Sequence, residues 1–213
     1  MAKMFALLCG LLICIRSGYA QQTGSPTDGF TQQNLTKANF EIQKPYDKEV
    51  SQRYSFIKGV HSMWVYINDK PHFRGSKTRP RTEIGIKGYG YTSGVWQFEG
   101  EVYVPQGTTG VCVMQIFGGT QHATAFMLHV YVGMLKRYDE QVVATDIYDR
   151  WIHVNVIHNA DEGKVYVFVE EEEKLVVDDR GPAIHSFKFG VYTQTKSSSC
   201  MEARWRNVKV WRK

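Results

Sequence analysis

The stretch Ser186–Gln194, SFKFGVYTQ, decides the fold. Read with period two, Phe187, Phe189 and Val191 share one face, and Lys188, Gly190, Tyr192 and Gln194 share the other. This is the alternation of a β-strand with one face in a core. Its polar face looks into solvent or into a site. The same alternation recurs along most of the chain, in HSMWVYI, TEIGI, VWQFEGEVYV, GVCVMQIFGG, TAFMLHVYVGMLKRY, RWIHVNVIHN, KVYVFVEEE, KLVVDD and ARWRNVKVWR. ADEG reads as a hairpin turn, and Glu170–Glu173 as a solvated hairpin end. Only LTKANFEIQ suggests a short helical turn. Many strands with no helices between them imply an all-β fold, a jelly-roll β-sandwich of two antiparallel sheets. With 213 residues and 43% hydrophobic content, the chain suits one such domain.

The first twenty residues read as a secretory signal peptide: Lys3, the short apolar run FALLCGLLICI, then small residues at Gly18 and Ala20. The run is too short for a membrane span. The expected organisation is a signal peptide at 1–20, a flexible polar lead-in at 21–33 and the β-sandwich at 34–213. Entry to the secretory pathway is compatible with extracellular space, cell wall or vacuole. Removing Lys3 and Arg16 leaves 24 basic against 21 acidic residues, a mild +3. No basic cluster interleaved with aromatics is present, so nucleic acid is not the expected partner. An acidic small ligand or acidic polysaccharide fits better. Cys112 and Cys200 are the cysteines left beyond the leader, and in a secreted chain they are expected to form one disulfide, stabilising by roughly 4–5 kcal/mol; two buried thiols are the alternative. Asn34 opens the glycosylation sequon NLT.

Two more strands share the oddity of the first. Arg81, Glu83 and Gly85 lie on one face of RPRTEIGI, and Val113, Gln115 and Phe117 on one face of CVMQIF. If the three strands are neighbours, one sheet face gathers Arg81, Glu83, Gln115, Lys188, Tyr192 and Gln194. The alternative is three ordinary solvent-facing strands, which antiparallel sheets use routinely.

RTEIG, QIF and SFKFGVYTQ resemble, in order and separation, the Arg-(Ser/Thr)-Glu, Gln-(Ile/Val)-His and Tyr-Phe-Lys-Ala-Gly-Xaa-Tyr-Xaa-Gln motifs of the alginate lyases of polysaccharide lyase family 7. PTDGFT, QKPYD, DKPH, TRPRTEI, YTSGVWQFEG, GVCVMQIFGG and IYDRW are also similar to the plant citrate-binding proteins of the same alginate-lyase-2 superfamily. The resemblance implies a concanavalin-like jelly roll with a groove across a concave sheet. It places Arg81, Glu83, Gln115, Lys188, Tyr192 and Gln194 in that groove, with citrate, a uronate or an acidic polysaccharide as ligand. A monomer is expected.

A uronate lyase removes the proton at C5, beside the carboxylate, and expels the oxygen at C4. The carboxylate must be neutralised. Arg81 offers a planar fork and Gln115 an amide donor. By the resemblance, Tyr192 protonates the leaving oxygen, and Glu83 orients Arg81. A tyrosine of ordinary pKa, about 10, needs cations nearby to act as base; Lys188 and Arg81 are the candidates. Two departures weaken catalysis: Phe117 stands where the family has a histidine, and Gly85 where it has a second arginine. Phe117 can instead wall the groove. His122, after FGGTQ, and His129, on the next strand, are the histidines that could reach the groove in compensation, although a lone strand histidine is more often structural or merely exposed. The resemblance thus leaves two readings, a carboxylate binder and a lyase. No cofactor is implied, and no metal: His61, His72, His153, His158 and His185 show no ligand spacing on one element. A nucleophile elbow and a phosphate loop are missing as well.

Overall fold

The computed structural model describes residues 24–213. The expected signal peptide lies outside the described residues. Two antiparallel sheets stack face to face. One is built from β1 (Thr31–Gln32), β3 (Tyr54–Ile57), β4 (Val60–Tyr66), β6 (Val95–Tyr103), β11 (Trp151–Asn159), β12 (Lys164–Val169), β13 (Glu172–Asp178) and β15 (Cys200–Arg212). The other runs, edge to edge, β10 (Gln141–Ala144), β9 (Met134–Arg137), β8 (Thr124–Tyr131), β7 (Val111–Phe117), β14 (Ser186–Thr193), β5 (Arg81–Ile86) and β2 (Phe40–Gln43). The described residues otherwise hold two single 3-10 turns, Lys37–Asn39 and Val50–Gln52. The first is the helical turn expected in LTKANFEIQ. Among the described residues no helix is long and apolar enough to cross a membrane.

The core is made by the alternating apolar faces. Phe187 and Phe189 of β14 meet Phe98 of β6 with ring centroids 6.0 and 5.9 Å apart, and Phe189 meets Trp205 of β15 at 5.8 Å. All four rings are buried. Burying each contributes on the order of 1.5–3 kcal/mol. Turn chemistry follows the sequence. Gly163, φ +65°, closes ADEG between β11 and β12. Glu170 and Glu171, φ +51° and +66°, close β12 on β13, with both central residues left-handed as the twist of a two-residue hairpin requires.

Three expectations are corrected. The Cys112–Cys200 disulfide is not formed, and both thiols are free. Cys112 lies on the outer side of the seven-stranded sheet, opposite Tyr192 and His129 in register. Cys200 lies on the outer side of the other sheet, among Ser62, Trp64 and Glu202. The whole core separates them, and a disulfide spans only about 6 Å between Cα atoms. Second, a bulge in β7 changes a face. Cys112 and Met114 are paired in register while Val113 is passed over, so Val113 joins the core and Cys112 takes its place beside Gln115. Third, the part of the lead-in that is described is not loose: Pro26 is buried, and Thr31–Gln32 pairs with Arg212 and Trp211 of β15.

Candidate functional site

The three motif strands are neighbours. β14 runs between β5 and β7, with Tyr192 opposite Arg81, Gly190 opposite Glu83, and Lys188 opposite both Gly85 and Gln115. Gly190 permits this close pairing. At φ +142°, a Cβ there would lie 2.4 Å from the Thr82 carbonyl oxygen and 2.7 Å from Glu83 Cα.

The polar residues so gathered are not a solvated face. Arg81, Glu83, Gln115 and Lys188 are between 0 and 8% exposed. Buried polar groups need partners, and Arg81, Glu83 and Gln115 partner one another, with Arg81 Nε left unpartnered among the described residues. Arg81 Nη1 donates to Glu83 Oε2 at 3.1 Å, and Gln115 Nε2 donates to Glu83 Oε1 at 2.6 Å. Glu83 therefore orients both the guanidinium and the amide. Above this layer, the Arg81 guanidinium carbon lies 3.7 Å from the Tyr192 ring centroid. Lys188 Nζ donates to Gln43 Oε1 at 3.3 Å and sits 4.1 Å from the Phe117 ring centroid. Burial pushes the Lys188 ammonium below the ordinary lysine range, with Glu83 opposing the shift and Arg81 adding to it. Burial also pushes the Cys112 thiol, beneath the same groups, well up, so it stays protonated.

Over this layer runs a groove of about 650 Å³, the size of a small-ligand site; Glu83, expected in the groove, does not line it and is wholly buried beneath Arg81 and Gln115. Arg81, Gln115, Phe117, Lys188, Tyr192 and Gln194 all reach it. Gln194 Nε2 donates to the Tyr192 carbonyl at 3.2 Å, which ties the end of β14 down. At Gly85 an added Cβ would touch Lys188 Cε at 4.0 Å, so the lysine stem occupies the floor beside the missing side chain.

The two histidines weighed as substitutes for the family's histidine do not line the groove; one is exposed and the other structural, the commoner fate of a lone strand histidine. His122 is exposed on the loop after β7. His129 is buried between the rings of Tyr131 and Tyr138, at centroid distances of 5.9 and 5.6 Å. The histidine that does line it is His72, from the loop between β4 and β5. Burial first, then the Arg81 and Lys188 charges, push its imidazole below the ordinary value, which favours the neutral form. Sequence reasoning missed it because a loop has no periodicity. The available signal was DKPH, nine residues before Arg81 on the chain.

The cations Arg81 and Lys188 outnumber the carboxylate buried beneath the groove, Glu83. Lys87 and Glu41 at the rim pair with each other at 2.8 Å. The floor is thus net positive, polar and held in place, with an aromatic wall on two sides. It can take a carboxylate through charge-assisted hydrogen bonds. Asn34, the sequon residue, is exposed away from these strands, its carbonyl accepting from Tyr89 Oη at 2.7 Å. Outside the groove, His158, Asp179 and His185 bring ligand atoms within 4.8 Å of one another.

Comparison with known proteins agrees with this architecture. The citrate-binding protein of Hevea brasiliensis is 54% identical over 209 residues, covering 98% of this chain and 87% of that protein. Among solved structures, alginate lyase AlgAT5 from polysaccharide lyase family 7 superposes with a TM-score of 0.64 at 17% identity, over 81% of this chain and 93% of that one. Alginate lyase PA1167 from Pseudomonas aeruginosa gives 0.63 at 14% identity, over 84% and 100%. The Alginate_lyase2 family, described as alginate lyase, matches residues 34–212, and the chain belongs to it.

Proposed function

We propose that the groove binds a carboxylate ligand, citrate or a short uronate, in a protein of the secretory pathway. The observation that carries the reading is the buried Arg81–Glu83–Gln115 layer with Lys188 beside it: a net positive floor whose donors are fixed before any ligand arrives. Arg81 and Lys188 take the carboxylates, Gln115 and Gln194 supply amide contacts, and Phe117 and Tyr192 form the walls. Citrate is the ligand named for the Hevea relative. The expected leader and the exposed Asn34 sequon support passage through the secretory pathway.

A lyase is the second reading, and one observation favours it. Tyr192 and His72 line the same groove as Arg81. In that reaction Arg81 holds the uronate carboxylate, and either neutral His72 or the phenolate of Tyr192 takes the C5 proton. The C4–O bond breaks as the C4–C5 double bond forms, and Tyr192 protonates the departing oxygen. Phe117 argues against it, because its ring covers Lys188 where the family's histidine would stand.

The two readings separate in one assay. The purified protein is mixed with glucuronan, polymannuronate, polyguluronate and pectate, and ultraviolet absorbance of the unsaturated product is followed. The binder reading predicts no rise on any of them. A rise that Tyr192→Phe eliminates would replace it with the lyase.

A further inference from the structure

We propose that His158, Asp179 and His185 form a site for a divalent transition metal ion of the zinc type, separate from the groove. The three come from different elements: His158 from the inner side of β11, Asp179 from just after β13, and His185 from just before β14. Their ligand atoms lie within 4.8 Å of one another. Two imidazoles and one carboxylate form the donor set that zinc takes when it keeps a position open for water.

The surroundings point to a ligand. His158 and His185 are 0 and 1% exposed. His185 Nδ1 is buried and has no hydrogen-bond partner among the described residues. An orphaned buried nitrogen is destabilising, and a metal ion would satisfy it.

An outer layer is in place as well. Tyr91 Oη lies 2.9 Å from His158 Nδ1, and Asp179 Oδ1 accepts from Gly181 N at 2.8 Å. Without metal, His158 Nε2 donates to Asp179 Oδ2 at 3.0 Å and Tyr91 donates to Nδ1. With metal between them, the proton moves to Nδ1, which donates to the turned Tyr91 hydroxyl, and Nε2 becomes a ligand. The number of protons on His158 is unchanged. Backbone bonds between Tyr91 and His185, at 3.0 and 2.7 Å, fix the two chains that carry these groups. The segment also supports the loop at the end of the groove, since Thr120 N donates to Arg180 O at 3.0 Å and Thr120 Oγ1 to Pro182 O at 3.0 Å.

The test is titration of chelator-treated full-length protein with zinc alone, by calorimetry and by competition with a chromophoric chelator. One zinc per chain is expected. His185→Ala and Asp179→Asn should each weaken it by well over tenfold, and Tyr91→Phe by roughly 10–100-fold. Cobalt in place of zinc should give visible absorption bands of a four- or five-coordinate ion, lost in both ligand variants. Circular dichroism checks that each variant folds, and Asp179→Asn, nearer the surface, carries the test if His185→Ala does not. Zinc bound at less than one per chain, or bound equally well by the folded variants, would overturn the proposal.

Discussion

At the scale of single residues, Glu83 organises the groove. It is wholly buried, and each of its oxygens accepts a hydrogen bond from a groove side chain. Replacing it by glutamine leaves the Arg81 guanidinium buried without its counter-charge. Glu83→Gln should lower stability by about 3–5 kcal/mol in urea denaturation, the effect of breaking a buried ion pair from one side. A loss below about 1 kcal/mol would mean that water already screens the pair. The motif residues were legible in the sequence because a strand's period of two fixes which side chains share a face. What the period did not show was burial: the same alternation describes a solvated face and a closed polar layer. His72 was illegible because its loop brings it to Arg81 by tertiary folding alone. The cysteines misled because a count of two says nothing about which side of a sheet each one takes.

At the scale of elements, the site depends on β14 lying tightly against β5. Gly190 is where that contact is closest. Gly190→Ala forces the backbones apart, or strains a residue at φ +142°, and displaces Lys188 and Tyr192 together. Both stability and carboxylate affinity should fall, the first by roughly 1–3 kcal/mol. An alanine variant with wild-type melting temperature and affinity would show that β14 needs no such approach. Strand identities were readable here, with exceptions that have local causes. TAFMLHVYVGMLKRY reads as one run but breaks into β8 and β9 at Val132 and Gly133, both at positive φ. The β7 bulge moved Cys112 to the groove side, since inserting one residue inverts the alternation.

At the scale of the molecule, the sandwich buries histidines in neutral form. Burial pushes His129 and His61 down to about 4 from the ordinary 6.5. As pH falls from 6.5 towards 4, the unfolded chain takes up these protons while the folded chain does not. Stability therefore falls through that window, by at most roughly 3 kcal/mol for each histidine. His129 has no hydrogen-bond partner on either ring nitrogen among the described residues, so His129→Phe removes its share of the loss without breaking a bond. Urea midpoints measured from neutral pH to about pH 4 should fall less steeply in that variant, and an identical acid limb would exclude His129 as a source. The jelly roll itself was the most legible feature, because apolar alternation in many strands leaves few other ways to bury them. Its ligand was less so, since the fold serves lyase and binder alike and a few groove residues decide between them.

The measurement that tests the groove most directly is a calorimetric titration of the protein with citrate and with short oligouronates, repeated on Lys188→Met. This variant keeps the lysine's apolar stem and the Arg81–Glu83 pair but removes one of the two cations. The account predicts saturable binding of at least one of these carboxylates to the wild type, weakened about tenfold or more in the variant, as the loss of one charged hydrogen bond implies. Binding that is unchanged by Lys188→Met, or no binding of either ligand class to the wild type, would contradict it.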